Sequence, residues 1–85
     1  MTEIEFDFNQ KNVVIQANLS DSFQDVIKKY FQKAEIDPST VYFFANGVKI
    51  DENKDVESQM NEINKKNNKI KVLVHSIEKP NWSYF

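Results

Sequence analysis

The chain has 85 residues, no cysteine and a net charge of −2. That length makes one domain, near the lower limit of what folds on its core alone. It excludes disulfides and thiolate metal sites and suits a reducing compartment, so a cytoplasmic or nuclear location is expected. All eleven basic residues are lysine, which removes the bidentate phosphate and guanine contacts of arginine, and no apolar run approaches the roughly 20 residues that span a bilayer. Neither nucleic acid nor a membrane is an expected partner.

Ile4-Glu5-Phe6-Asp7-Phe8 alternates apolar and charged residues, which predicts a strand with Ile4, Phe6 and Phe8 inward. Asn9-Gln10-Lys11-Asn12 reads as a polar turn. Val13 to Ala17 resumes the alternation with Val13, Ile15 and Ala17 on one face, completing a hairpin. Ser22, with Asp25 three residues on, predicts a helix start. Phe23, Val26, Ile27, Tyr30, Phe31 and Ala34 then recur at helical spacing, and Asp37-Pro38 predicts the stop.

Val41 to Ala45 and Val48 to Ile50 read as strands about Asn46-Gly47, which holds the chain's only glycine. That dipeptide supplies the two positive-φ residues of a type I′ hairpin turn. Asp51 to Asp55 is too polar to bury, whereas Val56, Met60 and Ile63 predict a short helical turn folded onto the core. Asn64 to Lys69 reads as a solvated loop. Ile70 to His75 is the last strand, with Ile70, Val72 and Val74 inward and Lys71, Leu73 and His75 outward.

Chemistry is sparsely provided. His75 is the only histidine, and it has no cysteine, serine or carboxylate arranged to make a nucleophile or a metal ligand set. No glycine-rich loop is present to cradle a phosphate. The expectation is no catalytic residue, no metal and no cofactor.

The order strand, strand, helix, strand, short strand, minor helix, strand resembles the ubiquitin-like β-grasp superfamily over roughly residues 3 to 77. The residues that carry the resemblance are Ser20-Asp21-Ser22-Phe23 before the helix, Ile36 and Pro38 after it, Phe44-Ala45-Asn46-Gly47-Val48-Lys49-Ile50, Asp55-Val56, and Ile70-Lys71-Val72-Leu73-Val74. Tyr42 to Gly47, with Glu57-Ser58-Gln59-Met60, is similar to the SUMO branch. The resemblance implies an α+β fold, a β-grasp mixed sheet crossed by one helix with a short second helical turn. The domain then covers residues 1–77 and an aromatic C-terminal tail residues 78–85.

What such domains typically offer is the outer sheet face, here Tyr42 and Phe44 beside Lys71, Leu73 and His75. The resemblance places Phe44 and Leu73 at two apolar positions through which ubiquitin meets its receptors, with Lys71 between them. The third apolar position has no match in Asn9-Gln10-Lys11-Asn12. The resemblance to the SUMO branch implies a second surface, the groove between the second strand and the helix, where Val14 and Lys28 or Lys29 would receive an extended acidic-hydrophobic peptide by strand addition. The tail concentrates Trp82, Tyr84 and Phe85, a set that is costly to leave in water and suits docking.

No Gly-Gly follows the last strand in His75-Ser76-Ile77-Glu78-Lys79-Pro80, so the chain is expected to bind non-covalently rather than be conjugated to substrates. The expected function is an adaptor module that engages protein partners, either components of the ubiquitin pathway or a multi-subunit assembly. The alternative is a structural subunit docked through its sheet and tail. One outcome follows from the inward stripe itself: Ile15→Asp or Val72→Asp buries an unpaired carboxylate at a cost of several kcal/mol, and circular dichroism should show either variant unfolded.

Overall fold

Strict alternation builds the sheet, because successive side chains of a strand point to opposite faces. The computed structural model describes residues 1–76, and these form an α+β domain with a five-stranded mixed sheet in the order β2-β1-β5-β3-β4. β1 (Thr2–Phe8) pairs antiparallel with β2 (Lys11–Ala17) and parallel with β5 (Lys69–Ser76). β3 (Val41–Ala45) pairs antiparallel with β5 and with the two-residue β4 (Val48–Lys49). No helix of the described residues is long and apolar enough to cross a membrane.

The first turn is tighter than four polar residues suggest. Phe8 pairs with Lys11, leaving a two-residue loop in which Asn9 and Gln10 carry φ of 50° and 67°. Lys11 and Asn12 therefore belong to β2. The second hairpin turn is as expected, with Asn46 and Gly47 at φ 54° and 76°, the left-handed pair that matches strand twist.

Helix α1 (Phe23–Ala34) starts at Ser22, whose Oγ accepts from the Gln24 amide at 3.3 Å. Its end differs from expectation. Glu35 adopts the left-handed conformation at φ 54° and donates its N–H to Phe31 O at 3.1 Å, so the helix closes before Asp37-Pro38, which opens a separate 3₁₀ turn (Pro38–Thr40).

Beyond β4, residues 51–68 hold two short helices rather than one. Helix α2 (Val56–Gln59) is capped by Asp55, which accepts from the Ser58 hydroxyl at 2.6 Å and amide at 2.9 Å. Those bonds hold the Asp55 carboxyl below the usual carboxylate range. Lys69 opens β5, and helix α3 (Glu62–Asn67) takes in Asn64 to Asn67 of the stretch Asn64 to Lys69 read as a solvated loop. It forms because Asn61 and Asn64 make a reciprocal capping box and Asn68 closes the far end in the left-handed conformation. Ile63, expected on the core, is 67% exposed, whereas Val56 and Met60 are buried as expected.

The α1 stripe of Phe23, Val26, Ile27 and Tyr30 packs with Ile4, Phe6, Ile15, Val41, Phe43, Ile70, Val72 and Val74 into one core. Phe8, Val13, Phe31 and Ala34 are only partly buried at its margin. Buried Thr2 reaches across the chain to donate its hydroxyl to Asn68 Oδ1 at 2.9 Å. The segment before α1 is stitched to the segment before α2: Phe23 N–H donates to Lys54 O, Val56 N–H to Asp21 O and Glu57 N–H to Leu19 O.

Two outcomes follow. A non-glycine residue in the left-handed region costs about 1–2 kcal/mol, part of which glycine returns as unfolded-chain entropy; Glu35→Gly should therefore stabilise the domain by about 0.5–1 kcal/mol in urea denaturation. Burial, and secondarily the charge of Asp7, raises the Tyr30 phenol above its ordinary value. The folded chain then holds that proton to higher pH than the unfolded chain, so this contribution is complete below the unfolded pKa and is lost as pH rises through the folded one. Spectrophotometric titration should place Tyr30 above the ordinary phenol value, with Asp7→Asn lowering it.

Candidate protein-docking faces

Period-two alternation sends Tyr42 and Phe44 of β3, and Lys69, Lys71, Leu73 and His75 of β5, to the face away from α1. The register sets Tyr42 opposite His75 and Phe44 opposite Leu73. Directly opposed side chains of an antiparallel pair interact, and here they form one cluster. Tyr42 stacks on His75 with ring centroids 5.6 Å apart and 28° between planes. Phe44 meets both rings edge-on, at 5.3 Å from Tyr42 and 5.7 Å from His75. Leu73 is 42% exposed beside them, and Phe44 rather than Phe43 leaves the core.

Lys71 does not join this cluster. Its Nζ lies 3.6 Å from the Asp7 carboxylate, as Lys69 Nζ lies 3.1 Å from Glu5. The β1 half of the outer face is therefore a band of ion pairs, and the β3 half is aromatic. Pairs whose lysines stand in solvent contribute about 1 kcal/mol each to stability; what they do here is mark one edge of the apolar patch. Of the five residues expected on this face, four make the cluster and Lys71 bounds it. Trp82, Tyr84 and Phe85 lie outside the described residues.

The second face lies between β2 and α1, at an edge of the sheet. A cavity of about 580 Å³ is lined there by Val14, Ile15, Gln16, Lys29, Gln32 and Lys33. Lys28, one of the two lysines considered for this rim, is not among its lining residues. Lys33 is, and its Nζ donates to Val14 O at 3.5 Å. Lys29 and Lys33 are four residues apart, the spacing that puts both on one helix face, and that spacing was the available signal for Lys33.

A residue's N–H and C=O point to the same side of a strand. Phe8 and Lys11 close the hairpin and Glu5 lies opposite Val14, so alternation along the ladder turns the backbone groups of Asn12, Val14 and Gln16 away from β1. A second cavity of about 340 Å³ continues the groove toward the first turn, between Phe8, Val13, Tyr30, Ala34 and Ile36, with Lys11 and Lys33 at its rim.

No family model matches the chain, and no curated protein matches it in sequence. Among solved structures it is similar to the NMR structure of the Arabidopsis thaliana protein At2g32350, with a TM-score of 0.70 over 96% of this chain and 93% of that one, at 8% sequence identity. At that identity the likeness is one of fold alone.

Proposed function

We propose that the chain is a ubiquitin-like β-grasp domain that works as a non-covalent adaptor, engaging a protein partner through Tyr42, Phe44, Leu73 and His75. The observation that carries this reading is the contiguity of the cluster. Three rings and a half-exposed leucine meet across β3 and β5, flanked by the ion pairs Lys69–Glu5 and Lys71–Asp7. An apolar anchor with a polar rim is how protein interfaces concentrate their binding energy, and the two ion pairs supply that rim on the β1 side. Rigid aromatics also lose little rotamer entropy on being covered.

Non-covalent action is the reading because no Gly-Gly stands between β5 and Pro80, where the resemblance would put a conjugating end. The partners proposed are ubiquitin-pathway components or the subunits of a larger assembly, in the cytoplasm or nucleus.

A second reading is favoured by the β2 edge. Backbone groups at Asn12, Val14 and Gln16 that face away from β1, with Val14 O met by Lys33 Nζ at 3.5 Å, run beside a groove with Lys29 and Lys33 on its wall. An extended peptide with acidic and apolar residues would add to β2 there, its backbone satisfying the edge and its acids meeting the lysines.

Affinity capture from native cells, with captured proteins identified and then titrated in purified form, separates the two. Phe44→Ser, shown folded by circular dichroism, should weaken an outer-face partner by about thirtyfold or more, the effect of losing a 2 kcal/mol anchor. The double charge reversal Lys29→Glu with Lys33→Glu should leave that partner bound. The opposite pattern sinks the outer-face reading in favour of the groove.

A further inference from the structure

Asn46-Gly47 does more than turn the chain. An asparagine followed by glycine is the pairing most prone to deamidate, because glycine's bare backbone leaves the next amide nitrogen open to the side-chain carbonyl carbon. Nothing lies within 4 Å of the position a Cβ would take on Gly47, so approach to that nitrogen is unhindered from this side. Yet the Asn46 side chain is held by partners distant in sequence. Its Nδ2 donates to Asn64 Oδ1 at 2.8 Å and to Gln59 O at 3.1 Å, and its Oδ1 accepts from Asn61 Nδ2 at 3.1 Å. Asn61 and Asn64 are themselves fixed as the capping box of α3, with Asn64 Oδ1 also accepting from Asn61 N at 3.0 Å and Asn61 Oδ1 from Asn64 N at 2.8 Å.

We infer that Asn46 is a latent deamidation site kept silent by this amide clamp, and that releasing the clamp converts the hairpin turn into a one-way switch. The chemistry needs only water. The Gly47 amide nitrogen attacks Asn46 Cγ, the new N–Cγ bond forms as the Cγ–Nδ2 bond breaks, and Nδ2 leaves as ammonia with the proton from the Gly47 amide. Water then opens the resulting five-membered imide at one of its two carbonyls, giving aspartate or isoaspartate at this position. Closing the ring requires Cγ to rotate onto Gly47 N, which both donor bonds and the acceptor bond of the clamp oppose.

The products also explain why the clamp matters to the fold. A carboxylate here has no N–H for Gln59 O or Asn64 Oδ1 and faces two acceptors instead. The isoaspartate product runs the main chain through Cβ, adding a backbone atom to a loop of two residues. The Ala45 to Val48 pairing depends on that loop length, so β4 is freed from β3, the strand that carries Tyr42 and Phe44.

The test incubates the folded 85-residue protein at mildly alkaline pH and follows aspartate and isoaspartate at position 46 by peptide mass spectrometry, beside the same protein unfolded in urea. Two clamp variants are compared. Asn61→Asp keeps an N-cap oxygen for α3 but sets an acceptor against Asn46 Oδ1, and Asn64→Ala removes the acceptor for Nδ2. Ile70→Val, which lowers stability while leaving the clamp whole, serves as the control for global unfolding. Folded wild type and Ile70→Val should react slowly, and the two clamp variants about tenfold faster, the factor expected from losing one to two net hydrogen bonds. Folded wild type reacting as fast as the unfolded chain, or clamp variants no faster than Ile70→Val, would overturn the inference.

Discussion

Phe6 lies face to face with Tyr30, ring centroids 4.1 Å apart and planes 10° from parallel, and meets Phe43 edge-on at 5.8 Å. Through these two contacts a β1 residue grips both the helix and the far half of the sheet. Tyr30 and Phe43 close the triangle at 6.1 Å. Along the sheet, Phe6 sits between Val13 of β2 and Val72 of β5. Aromatic pairs of this geometry add about 0.5–1.5 kcal/mol each beyond their burial, so Phe6 ties α1, β2, β3 and β5 together. The outer face inherits its rigidity from this knot, since the backbone that buries Phe43 is the one that holds Tyr42 and Phe44 outward.

Where an element buries a face, its period was legible. β1, β3 and β5 alternate and α1 repeats at helical spacing, because the core rewards only side chains that reach it. Helix α3 had no such signature. Asn64 to Lys69 is asparagine and lysine, Ile63 points to solvent, and the helix rests on local bonds from Asn61, Asn64 and Asn68. The same residues that deny a segment an apolar stripe are the ones that cap helices. Thr2 escaped for a different reason, since a buried hydroxyl is acceptable only once its partner, 66 residues away, is known.

The outer cluster was legible as a set of residues but not as an arrangement. Alternation chose the face, whereas the register that stacks His75 on Tyr42, and the reach of Lys71 to Asp7, belong to strand pairing. Left-handed residues were the least visible feature. Asn9, Gln10, Glu35, Asn46 and Asn68 all carry positive φ, and in a chain with one glycine only Asn46, beside it, announced itself.

The last strand among the described residues is the middle strand of the sheet, with β1 on one side and β3 on the other. Until it arrives, the β1–β2 and β3–β4 ribbons share no hydrogen-bonded edge, and isolated hairpins are marginal in water. A chain leaving the ribosome at about 5–20 residues per second therefore emerges with Phe6, Phe43 and the α1 stripe still uncovered. Completion of the sheet depends on the non-local pairing of β5 with β1 and β3. The two ribbons and the α1 stripe become one continuous core only when β5 slides into the gap between β1 and β3.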